Sequence, residues 1–83
     1  MTQFKISDLV YPKKMSWDII FNDLEDKGIT PSKASMLIGA GRSSLQRWRS
    51  GTEPKHSIGV SILKIHTRYC GEELTNQRIT EAR

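Results

Sequence analysis

The chain is poor in the residues that staple small proteins or load them with metal. Its 83 residues include one cysteine, Cys70. A single thiol excludes an internal disulfide and a cysteine-rich zinc site. The N-terminus, Met1-Thr2-Gln3-Phe4-Lys5-Ile6, has no signal-peptide apolar stretch, and with the lone thiol this leads us to expect a reducing cytoplasm. No apolar run approaches the roughly 18 residues of a membrane-spanning helix, so no membrane partner is expected. Hydrophobic residues make up 36% and aromatics 7%. A chain this short buries only about 60% of its unfolded surface. It has room for one small core and not for a large enclosed substrate cavity as well. Acid is scarce in the middle: residues 29–70 hold seven basic side chains against Glu53 alone, net +6, while the flanks 1–28 and 71–83 are each net −1. The whole chain is +4, with a pI near 9.5. Concentrated positive charge is the footprint of a polyanion partner; on charge alone, a solvated basic face is the plain alternative.

The apolar pattern is helical. Ser16 is placed to cap a helix in which Trp17, Ile20, Phe21 and Leu24 recur at i, i+3, i+4 and i+7, and Gly28 suits its end. Thr30-Pro31 starts a second helix, with Ala34, Leu37 and Ile38 as its apolar face and Gly39 as its close. Gly39-Ala40-Gly41 is a tight turn. A third helix fits Arg42 to Ser50, ended by Gly51, and a fourth fits roughly Lys55 to Cys70, with Ile58, Ile62, Ile65 and Tyr69 on one stripe and Gly71 at its end. Residues 72–83 are either frayed or a further short helix that needs a partner. No pair of strands is visible. The expected fold is all-α, a small bundle of four to five short helices: an N-terminal arm over 1–15, a domain over 16–71 and a C-terminal tail over 72–83.

The third helix separates cleanly on a wheel at about 100° per residue. Arg42, Gln46, Ser50, Ser43 and Arg47 fall on one side, Leu45 and Trp48 on the other, and the helix contains no acid. Arg bonds guanine bidentately and Gln bonds adenine bidentately, so the polar side offers groups that read base edges. Trp48 and Trp17 read as core anchors. Lys33 and Lys55 flank two helix starts, where they suit phosphates.

The segment Ser35, Gly39, Leu45, Trp48, with the ending Arg47-Trp48-Arg49-Ser50-Gly51 and Pro54 beyond it, resembles the helix-turn-helix domains of phage Cro and repressor proteins, the XRE or lambda-repressor-like family. The likeness covers residues 16–71. It implies a second helix of the motif lying in the major groove of duplex DNA, with Arg42, Ser43, Gln46 and Arg47 reading bases. Thr30, Ser32, Lys33, Ser44, Ser50 and Lys55 are then the expected phosphate contacts, and Ser35, Ile38, Gly39, Leu45 and Trp48 the structural core of the motif. Four positions depart from the family pattern. Pro31 stands where many relatives carry a phosphate-binding glutamine, Ala34 replaces a larger apolar residue, and Gly41 replaces a Ser or Thr cap. Arg49 stands where an acid is frequent, which makes the helix more basic than usual.

Chemistry is absent elsewhere. His66 and Cys70 lie at i, i+4 without a third soft ligand, so no metal is expected. Gly39-Ala40-Gly41 follows a helix and lacks the lysine of a phosphate-binding loop. No nucleophile stands at a spacing that suggests its base. The expected protein is no enzyme and needs no cofactor. It is a sequence-specific transcriptional regulator of phage or bacterial type, most simply a repressor, acting at the DNA of a bacterial cell or phage-infected host. The alternatives are an antitoxin-like protein-interaction module, or a recombination or replication accessory protein. Phe4, Ile6, Leu9, Val10, Leu74 and Ile79 are left over from the four helices. They point to a homodimer on a pseudo-palindromic operator, paired through the segment after Gly71.

Overall fold

Capping and glycine chemistry set the helix ends. The computed structural model describes residue 11 and residues 14–82, and these form five helices: α1 (Trp17–Asp26), α2 (Pro31–Ile38), α3 (Arg42–Arg49), α4 (His56–Cys70) and α5 (Glu72–Glu81). No strand occurs among the described residues. The architecture is therefore all-helical. At the start of α2, the Lys33 backbone N–H donates to Thr30 Oγ1 at 3.2 Å, and Pro31 occupies the first turn, where its missing N–H costs nothing. Gly39 closes α2 in the left-handed conformation, φ 80°. Ser16 stands at the N-cap of α1, but its side chain makes no cap bond.

The core is built from Met15, Trp17, Ile20, Phe21, Leu24, Ile29, Ala34, Leu45, Ile62, Leu63 and Ile79. Full burial of each Leu, Ile or Phe contributes about 1.5–3 kcal/mol. α1 and α4 carry most of the set and pack on each other, and α4 is also the main support of α5.

Several expectations change. Residues 1–10, 12 and 13 of the expected arm lie outside the described residues, but Met15 is buried in the core and Tyr11 packs against it. Both belong to the domain. α4 begins at His56, with Lys55 as its cap residue. Its buried line is Gly59, Ile62, Leu63 and His66, not the Ile58–Tyr69 stripe; Ile58, Ile65 and Tyr69 flank it, half-buried. Leu37 is 40% exposed rather than facing inward, because Ala34, Ser35 and Ile38 form the inner side of this short helix. Residues 72–81 are a helix in the same domain, with Thr75 and Ile79 buried. The partner that this segment required is α4 and α1 of the same chain.

One close approach decides a glycine. A Cβ on Gly59 would run into the Tyr11 ring and press on Trp17. Without it, Tyr11 lies against α4, edge-on to Trp17 at 5.4 Å between centroids and stacked on His56 at 5.2 Å.

Candidate nucleic-acid interface

α2 and α3 meet through Gly39, Ala40 and Gly41. Ser35 Oγ donates to the Ala40 carbonyl, and the Gly39 and Ala40 amides both donate to Ser35 O, at 2.9 and 3.2 Å. A small hydroxyl residue at 35 therefore ties the turn internally. α3 opens at Gly41, which brings no cap side chain.

α3 buries Leu45 and rests Trp48 half-buried at the core edge. Trp48 is thus a rim residue and not the enclosed anchor that its spacing suggested. On the other side Arg42, Ser43, Gln46, Arg47 and Ser50 are all exposed, and Ser44 is half-buried. Ser43, Gln46, Arg47, Ser50 and Thr52 line one shallow, open depression. Ser50 Oγ donates to the Gln46 carbonyl at 2.9 Å, so this hydroxyl helps close the helix. Thr30, Ser32 and Lys33 are exposed along the first turn of α2, and Lys55 is exposed before α4. Neither Arg42, Arg47, Lys33 nor Lys55 takes part in an ion pair among the described residues.

Arg49 behaves differently and corrects an expectation. Its Nε donates to Asp18 at 2.8 Å, Nη1 to Glu25 at 3.2 Å and Nη2 to the Asn22 amide oxygen at 2.5 Å. The guanidinium also lies 6.0 Å from the Phe21 ring centre. The Asp18 hydrogen bond leads in raising its pKa. This charge is neutralised by α1, so it adds nothing to the outer face of α3. What it does is hold the C-terminal turn of α3 against α1. A signal existed in the sequence: Asp18, Asn22 and Glu25 stand at i, i+4 and i+7, a polar stripe that needs a cation.

A second polar cluster is buried and was not foreseen. His66 Nε2 lies 2.8 Å from Asp23 Oδ2, and Nδ1 lies 2.6 Å from Thr75 Oγ1. Arg78 donates to both Asp23 oxygens, at 2.8 and 3.0 Å. Burial lowers the pKa of His66, outweighing the pull of Asp23. In the neutral ring Nε2–H donates to the carboxylate and Nδ1 accepts from the threonine hydroxyl. Burial opposes the charge of Asp23, but the Arg78 and His66 hydrogen bonds win and lower its pKa. The network joins α1, α4 and α5 and is closed to substrate, since His66 and Thr75 are fully buried. Cys70 is half-buried nearby, its thiol pKa raised by burial first and by Asp23 second. No group of three potential metal ligands occurs among the described residues, and no helix among them is long and apolar enough to cross a membrane.

No protein-family model, curated protein or solved structure matches this chain.

Proposed function

We propose that this protein is a sequence-specific, duplex-DNA-binding regulator of the Cro/repressor helix-turn-helix type, working in a bacterial or phage-infected cytoplasm. The observation that carries the proposal is the outer face of α3. Arg42, Ser43, Gln46 and Arg47 are exposed together on an eight-residue helix, with both arginines free of ion pairs among the described residues. Such a helix is about 12 Å long, close to the width of a major groove. Backbone contacts from the α2 start and from Lys55 position the domain, and the α3 face specifies sequence.

The test is selection of bound sequences from random duplex, followed by gel shift against salt. A domain that neutralises four or five phosphates gives a slope of log K on log[salt] near −4 per protomer, at about 0.9 per phosphate. Arg42→Ala and Gln46→Ala lower discrimination by about 1–3 kcal/mol per contacted base, while Lys33→Ala weakens all sequences alike. Salt-independent binding, or none at low salt, overturns the proposal. So few base contacts from one α3 carry little information, so the proposal includes two copies on half-sites about one helical turn apart. α5 is not their apolar contact: its outward positions Glu72, Glu73, Asn76, Gln77, Thr80 and Glu81 are polar, and Ile79 is buried. A two-fold symmetric footprint checks the pairing.

A protein-interaction module is the second reading. Met36 is 80% exposed beside Leu37 on the outer side of α2, an apolar pair that duplex DNA does not use. A Met36→Gln, Leu37→Gln variant that keeps DNA binding but loses function in the cell favours it.

A further inference from the structure

We propose that the junction of α1, α2 and α3 is a binding site for a small amphipathic carboxylate, one aromatic ring with a short acidic chain. A cavity of about 290 Å³ opens there. This is close to the lower end of small-ligand pockets, at roughly 300 Å³. Its floor is apolar and comes from separate segments: Phe21 of α1, Ile29 of the following turn, Ala34 of α2 and Leu45 of α3. All four are core residues. They offer a ring-sized surface that the chain itself leaves open.

The rim supplies the sign of the charge. Arg49 and Glu25 both line the cavity, but they satisfy each other at 3.2 Å, with Asp18 holding Arg49 further. Arg42 also lines it and has no ion-pair partner among the described residues. The uncommitted charge on this rim is therefore a guanidinium, which takes a carboxylate in a paired hydrogen-bond geometry. The Gln46 amide stands one turn further along the rim, able to donate to the same oxygen pair. A neutral or cationic ligand leaves Arg42 unmatched.

The cavity shares side chains with the outer face of α3. Arg42 is exposed there, and Gln46 and Ser50 line both the cavity and the shallow depression beyond it. A bound carboxylate occupies Arg42 and Gln46, so ligand and duplex compete for two side chains. This competition rests on the proposed DNA binding; the site itself does not.

The experiment titrates the isotope-labelled full chain with 3-phenylpropionate and, separately, with its neutral amide, and follows the amide resonances. Saturable shifts are expected at residues around Phe21, Ile29, Ala34 and Leu45, with the acid binding about tenfold more tightly than the amide. In Arg42→Ala the acid and amide bind equally, and the unperturbed remainder of the spectrum reports that the variant is folded. No saturable shift, shifts centred elsewhere, or equal affinity for the two probes in the wild-type chain each overturns the site. A gel-shift competition then adds the acid to the DNA complex. Ligand binding without competition removes the coupling alone, and absence of any DNA complex removes the proposed function while leaving the titration to stand.

Discussion

Asp23 accepts hydrogen bonds from His66 and twice from Arg78 with only a tenth of its side chain exposed. Removing it strands two buried or half-buried donors. Asp23→Ala is therefore expected to cost about 3 kcal/mol, read as a drop in the urea midpoint. Arg49→Ala breaks ion pairs to partners that are 54% and 39% exposed, so its cost is expected to be about 1 kcal/mol or less. The two arginine-centred clusters look alike in sequence and differ in burial. Gly59→Ala is the sharper residue test. Alanine in a helix interior gains about 0.5–1 kcal/mol over glycine. Here its methyl displaces the Tyr11 ring, so net destabilisation is expected. In a Tyr11→Ala background the same change turns stabilising, and a double-mutant cycle of melts detects that reversal.

The elements were legible where a single periodicity governs them. Trp17, Ile20, Phe21 and Leu24 are buried as their spacing predicted, and Thr30-Pro31 and Gly39 bound α2 as their chemistry predicted. Leu37, Trp48 and α5 were less legible for a common reason. A helix of about two turns has an inner side only three or four residues wide, and which residues fill it depends on the helices around it. The spacing alone placed Leu37 inward, yet Ala34, Ser35 and Ile38 fill that side. α5 is weakly amphipathic because its inner face is partly polar: Thr75 and Arg78 meet His66 and Asp23 there. The exposed polar face of α3 was legible from its wheel. The neutralisation of Arg49 was not, since its partners lie 24 to 31 residues away. Deleting residues 72–83 is expected to abolish the cooperative melt, because it removes Ile79, Thr75 and Arg78 from the core at once. Circular dichroism of the truncated chain checks this.

For the whole molecule, acid is the expected weakness. The folded pKa of His66 lies below its ordinary 6.5, so the unfolded chain takes a proton that the folded chain refuses. Stability contributed by the neutral ring is complete above that value and falls as pH drops below it. Asp23 acts in the same direction lower down: its folded pKa lies below 3.8, and its contribution is lost as pH falls through that lowered value. The unfolding free energy is expected to decline from pH 6.5 downward, by at most about 1.4 kcal/mol per pH unit for each proton. Urea titrations at pH 7.5, 6 and 5 measure the slope, and His66→Gln flattens its upper part.

The two tryptophans sit in unlike surroundings, one enclosed against Tyr11 and the other half-open on α3. Their fluorescence therefore divides the molecule optically. Trp17 reports whether the interior is assembled, and Trp48 reports what approaches the outer helix while the interior stays intact. With Trp48→Phe as the reference, the difference in emission between the two proteins becomes an unlabelled signal for occupancy of α3.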